Sequence, residues 1–167
     1  ISIGKRNLLF TGTPMLHWPD NMVTYCPEEK ILFSNDAFGQ HIASTERFVT
    51  QMDLNTVLEG AKSYYANIIM CYGKQAAGAE QVVKTLDLSM IAPSHGLIWT
   101  DNIPDIFAAY ETWSSAETPA DGAVVVFDSM WHSTEKMALT IADAFKEAGQ
   151  EVRLFDLKEN HWSKIMP

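Results

Sequence analysis

Three residues in this sequence share a position that chemistry can use. His17 follows the apolar stretch LLFTGTPML, Asp36 ends KILFSND, and His95 follows LSMIAPS. Each sits where a strand-like segment gives way to polar residues, and strand ends at one edge of a sheet converge in space while staying far apart in sequence. Two imidazoles and a carboxylate offer nitrogen and oxygen donors suited to Fe, Zn or Mn. No thiolate joins them, which weakens a structural-zinc reading. Taken singly, each histidine reads equally as a hydrogen-bonded core or surface residue; the shared placement is what makes the three a set. His41 competes with His17 on pattern alone, and His161 reads as a solvated surface residue.

A second stretch, VVVFDSMWHSTEKMA at 124–138, runs from an apolar strand-like segment into a helix through small, hydroxyl-bearing and aromatic residues. A strand, a polar turn and a helix N-terminus form an anion site, because unpaired N–H groups and the positive end of the helix dipole meet there. Ser129, Ser133 and Thr134 are the hydroxyl donors expected to hold a phosphate. Trp131 has no role in holding phosphate and suggests stacking near a flat ring. The alternative is that Ser133 or Thr134 only caps the helix.

The elements that must position these residues follow from local pattern. Residues 7–12, 22–27 and 30–36 read as strands, with PEEK (27–30) as a hairpin turn between the last two. From about Glu46 the period becomes helical, with Val57, Leu58, Ala61, Tyr64 or Tyr65, Ile68 and Ile69 on the apolar face and Gly73 as the stop. A second helix is expected at 76–88, a short strand at 88–96 ended by Pro93, and a helix at 102–115. In that helix Pro104 suits the first turn and Ile106, Phe107, Tyr110 and Trp113 share a face. SSAETPADG, rich in small and turn-forming residues, marks a linker at 114–121 between segments 1–113 and 122–167. AVVVFD then reads as a strand buried on both faces of a parallel sheet. STEKMALTIADAFKEAG follows as a helix with Ala138, Ile141, Ala142 and Phe145 inward and Gly149 just past its end. EVRLFDL closes a βαβ unit, which cannot bury both of its faces by itself.

Bulk properties exclude several classes. Of the 167 residues, 47% are apolar and 20% charged, a globular composition. A formal net charge of −9 and scattered Lys and Arg argue against nucleic-acid binding. No apolar run approaches the ~18 residues of a membrane span. The two cysteines, Cys26 and Cys71, lack paired spacing, so a reducing, cytoplasmic setting is expected.

Taken together, HWPDNMVTYCPEEKILFSNDAFGQH (17–41), IAPSHGLIW (91–99) and VVFDSMWHSTEKMA (125–138) resemble, in order and spacing, the flavodiiron proteins, also called A-type flavoproteins; YYANI (64–68) adds to the likeness. The resemblance implies an α/β fold: the C-terminal half of a metallo-β-lactamase-like αββα sandwich, followed by the first βαβ unit of a flavodoxin-like doubly wound domain. It implies His17 and His95 as ligands of a non-haem di-iron site and Asp36 as the bridge, with His41 not carried over. It implies an FMN loop at Ser129, Met130, Trp131, His132, Ser133 and Thr134, with Trp131 and His132 beside the flavin. The family reduces O2 to water or NO to N2O with electrons from rubredoxin, a reduced deazaflavin or a nicotinamide-linked reductase, as head-to-tail homodimers or tetramers. A zinc metallo-β-lactamase-like hydrolase, or a catalytically inactive structural fragment, are the alternatives. The family's H-x-E-x-D-H ligand cluster has no match here, and the chain opens at Ile1 without Met and stops at Pro167. A piece of a longer protein is therefore expected, stable only beside its missing segments.

Overall fold

A computed structural model describes residues 1–115 and 122–166. The chain divides into two compact units, Ile1–Ser115 and Ala116–Pro167.

In the first unit, β1 (Ser2–Ile3) and β2 (Arg6–Asn7) form a small hairpin that the sequence pattern does not announce. A four-stranded sheet follows in the order β3 (Leu9–Gly12), β4 (Met22–Cys26), β5 (Ile31–Asn35), β6 (Met90–Pro93). β4 and β5 make the expected antiparallel hairpin, while β5 and β6 run parallel. Because side chains alternate across a strand, registry sorts them into rows. Tyr25, Leu32 and Ile91 form one row and are buried, whereas Phe10, Thr24, Phe33 and Ala92 form a row on the other face. Phe10 and Phe33 in that second row are each nearly half exposed.

The N-terminal hairpin is pinned to the β4–β5 turn by charge. The Asn7 N–H and side-chain amide both donate to the Glu28 carboxylate, at 3.0 and 2.8 Å, and Arg6 Nε donates to Glu29 at 2.7 Å. The Asn7 main-chain donor and then its amide pull the Glu28 carboxyl down to about 2. A carboxylate held below its unfolded value stabilises the fold above that value, 4.5 for Glu28, and loses this contribution as pH falls through about 2. The Glu28 carboxyl resonance is therefore expected to titrate near 2, and Asn7→Ala to return the midpoint toward 4.5. The Asn7 main-chain N–H survives in that variant, so the return is partial; an unchanged midpoint would remove the side-chain amide from the pin.

Asp53 caps α1 (Leu54–Tyr64), its carboxylate accepting from the Thr56 N–H at 2.9 Å. The expected start at Glu46 is therefore too early; only a 3-10 turn, Val49–Gln51, precedes the cap. Gly73 does not stop the helix. A π turn (Tyr65–Ile69) and a 3-10 turn (Met70–Tyr72) carry the chain on into α2 (Gly73–Val83). Gly73 holds a right-handed φ of −53°, so its conformation makes no demand that only glycine meets. α3 (Ile103–Ser114) has Pro104 in its first turn, buries Ile106 and Tyr110, and packs Phe107 and Trp113 against the core as expected. Ser114 is thus helical rather than linker, and 116–121 of the expected linker lie outside the described residues.

The second unit is β7 (Gly122–Phe127), α4 (Ser133–Glu147) and β8 (Glu151–Asp156), the two strands parallel from Gly122↔Glu151 to Phe127↔Asp156. Two expectations fail here. β7 is not buried on both faces: Val124 is 52% exposed and Val126 40%, because among the described residues α4 covers one face only. On α4, Ala138 and Ala142 are buried as expected, but Ile141 and Phe145 are 47% and 42% exposed. A two-stranded platform is narrow enough that two alanines fill the contact and the larger side chains overhang it. Gly149, at φ +78°, does follow the helix, with its N–H on the Lys146 carbonyl and that of Gln150 on the Phe145 carbonyl. Among the described residues no helix is long and apolar enough to cross a membrane.

Candidate metal and anion sites

The first unit brings His17, Asp36 and His95 together. Asp36 follows β5 directly and His95 lies two residues past β6, as the strand-end reading requires. His17 is instead inside the loop from β3 to β4, five residues beyond Gly12. Its Nε2 stands 3.4 Å from Asp36 Oδ2, and His95 Nε2 stands 3.3 Å from Asp36 Oδ1. One carboxylate thus presents one oxygen to the Nε2 of each imidazole. Asp36 is 8% exposed, so its charge is held out of bulk water. Among the described residues, no group of three His, Cys, Asp or Glu side chains closes into a complete metal site. His41, the pattern competitor, does not touch Asp36; its ring lies edge-on, 5.2 Å from that of His95 and 4.8 Å from that of Tyr64.

The carboxylate is aimed by its backbone. The β5–β6 ladder slips between Phe33 and Asn35, and Asn35 takes φ +55°, which turns Asp36 off the sheet edge. Two polar devices, one at the surface around Asn35 and one buried around Gln40, then bind the three loops to one another. Asn35 Nδ2 donates to Asn21 Oδ1 in the His17 loop, and Asn35 Oδ1 accepts from Ser94 Oγ at 3.0 Å beside His95. Gln40 is wholly buried: its Oε1 accepts from the Leu97 N–H at 2.7 Å, and its Nε2 donates to the Phe38 and Leu97 carbonyls at 3.2 Å. Phe38, at φ +65°, is held by its N–H on Tyr110 Oη and its carbonyl on Trp99 Nε1, both at 2.8 Å. A bulky residue in that conformation costs about 1–3 kcal/mol and persists only when its surroundings over-determine it. Sequence reasoning did not single out Asn35, Gln40, Trp99 or Tyr110 for this role; the first three lie within the ligand motifs, whereas Tyr110 read only as a core position of its helix.

Tyr64 is a further missed neighbour. Its hydroxyl is buried without a hydrogen-bond partner. Burial first, and the Asp36 charge second, push the phenol well above its usual range, so it stays an O–H donor at neutral pH.

In the second unit, His132 (φ +62°) is the residue before α4 and gives it no side-chain cap. Its Nδ1 faces the Glu135 carboxylate instead. Ser133 and Thr134 are the first two helical residues, so the capping alternative is not what the geometry contains. Ser129 Oγ, four residues before α4, is buried and has no partner. Met130 and Trp131 stand 76% and 83% exposed. The orphan hydroxyl and the uncapped N-terminus fit an oxyanion such as a phosphate. His161 is exposed as expected, with Nδ1 accepting from the Ser163 N–H.

Residues 1–96 match the family model described as ODP family beta lactamase. The nitric oxide reductase of Moorella thermoacetica is 45% identical over 94% of this chain and 40% of its own length. The solved rubredoxin oxygen:oxidoreductase from Desulfovibrio gigas superposes with a TM-score of 0.90 at 40% identity, over 99% of this chain and 42% of that one. The flavodiiron protein from Giardia intestinalis gives 0.88 at 39% identity, over 98% and 40%. The chain thus spans about two fifths of the length of these relatives.

Proposed function

Because this chain belongs to the ODP family of beta lactamases, and its close homologues and structural neighbours are flavodiiron proteins, we propose that it is part of an oxidoreductase that reduces O2 to water, NO to N2O, or both. One observation carries the reading: the Asp36 carboxylate is shared, one oxygen each, between His17 and His95. When bound, a pair of non-haem irons and an FMN supply the substrate-binding metal and the electrons.

The chain's own residues do the positioning. Asp36 would hold the metal pair from between the two histidines, since its two oxygens face different imidazoles. His17 and His95 bind on either side, and the Gln40 and Asn35 hydrogen bonds fix their separation. Tyr64 keeps its proton beside that centre as a donor. Ser129, Ser133 and Thr134 would hold the phosphate of an FMN, with Met130 in the same loop and Trp131 and His132 available beside the flavin. The domain reading follows: a metallo-β-lactamase-like di-iron part at 1–113, a linker at 114–121 and a flavodoxin-like part at 122–167. We place the protein in the cytoplasm as a head-to-tail homodimer or tetramer, served by rubredoxin, a reduced deazaflavin or a nicotinamide-linked reductase. The two free cysteines suit that compartment.

The test is metal and flavin analysis of the natural full-length protein, together with anaerobic NO turnover and O2 uptake. Iron, a flavin band and reductase turnover are expected. Zinc without flavin would establish the hydrolase instead, and neither metal nor flavin would leave a structural role.

A further inference from the structure

Lys158 lies two residues past β8, and its ammonium group donates to the Ser129 main-chain carbonyl. The turn that carries it is itself fixed. Asp156 Oδ1 accepts from the Lys158 N–H at 2.9 Å, the Asp156 carbonyl accepts from Asn160, and the Leu157 N–H donates to the Phe127 carbonyl at the end of β7. The lysine is therefore placed against the loop by backbone geometry and is not a wandering surface cation.

The loop needs a cation. Its orphan hydroxyl and the uncapped α4 N-terminus attract an anion, yet in sequence the loop is flanked by Asp128 and by Glu135-Lys136, with Asp156 and Glu159 on either side of Lys158. A phosphate monoester carries close to two negative charges, more than the partial charge of about half a unit at one helix end can match. An ammonium group meets phosphate as a compact point charge with three donors.

We propose that Lys158 is a binding and specificity residue of the Ser129–Thr134 anion site, holding the loop through the Ser129 carbonyl and supplying the charge that favours a phosphorylated ligand over its unphosphorylated counterpart. The choice of flavin as that ligand rests on the function proposed above; the phosphate chemistry does not.

The experiment uses the natural full-length protein freed of flavin, with FMN, riboflavin and inorganic phosphate as separate probes. Lys158→Met is expected to weaken FMN about tenfold while riboflavin changes less than about twofold, and Lys158→Arg to keep most of the FMN affinity. Equal losses for FMN and riboflavin would reduce Lys158 to a structural residue, and an unchanged FMN affinity would remove it altogether; either result overturns the proposal. A wild-type protein that binds neither flavin is judged by inorganic phosphate, followed by 31P line broadening. Broadening lost in Lys158→Met keeps the anion role while the flavin reading falls, and the same or no broadening in both proteins overturns the role.

Discussion

Replacing Asp36 by Ala in the full-length protein is expected to remove iron and with it at least ~100-fold of the reductase turnover, while FMN stays bound. The magnitude follows from what the side chain does. Partners of metal ligands alone are worth 10–100-fold, and Asp36 is itself the group facing both imidazoles, at 3.4 and 3.3 Å. The flavin is spared because Ser129–Thr134 belong to the other compact unit. Iron quantitation and the flavin absorbance band report the two halves separately. Asp36→Asn keeps the shape but gives up the negative charge and one acceptor, so it should fall between wild type and Ala. Wild-type iron content and turnover in Asp36→Ala would end the bridging role.

Gly96→Ala should cost about 2–5 kcal/mol in unfolding free energy and lower iron content at the same time. Gly96 takes φ +83°, where any side chain is strained. Its new Cβ would also collide with the side-chain amide oxygen of Gln40 and stand 2.5 Å from the Gln40 carbonyl oxygen. Neither atom is free to retreat, because Gln40 is fully buried and its amide spans to Leu97, 57 residues away. Pushing it aside breaks buried hydrogen bonds and separates the Asp36 loop from the His95 loop. The control is Gly78→Ala in α2, where a Cβ meets nothing within 4 Å and helix propensity alone predicts a gain of ~0.5–1 kcal/mol. Urea unfolding of both variants separates the two effects; equal stability of the two would refute the account of Gly96.

That Asp36 and His95 would meet was legible in the sequence, for a physical reason. Asp36 and His95 sit at the ends of strands whose β-branched and aromatic residues and flanking turns are local signals, so the chemistry could be placed from short windows. The hairpin at Pro27–Lys30 was legible for the same reason. What holds the residues in place was not, because Asn35, Gln40, Trp99 and Tyr110 act through partners far away in the chain. Periodicity also overstated burial in the second unit. It reports which face is apolar, as for Ile141 and Phe145, and not whether anything among the described residues covers that face. At Gly73, residue type suggested a stop that the right-handed backbone does not contain.

The π turn at Tyr65–Ile69 has a counting consequence. Before it, the buried positions are Val57, Ala61 and Tyr64; within it they are Tyr65 and Ile69, and in α2 they are Ala76, Ala79, Glu80 and Val83. A helix of constant pitch continued from Val57 would meet the core about one residue earlier than Ile69, Ala76 and Val83. The wide turn absorbs the extra residue, and that lets two adjacent tyrosines serve different neighbours: Tyr64 the histidine rings, Tyr65 the rings of Tyr110 and Trp113. Substitutions within this segment alter local packing, but removing one residue rotates everything downstream by about 100°. The stretch is constrained in length more tightly than in composition, as a vernier that sets α1 and α2 to two different phases of the same core.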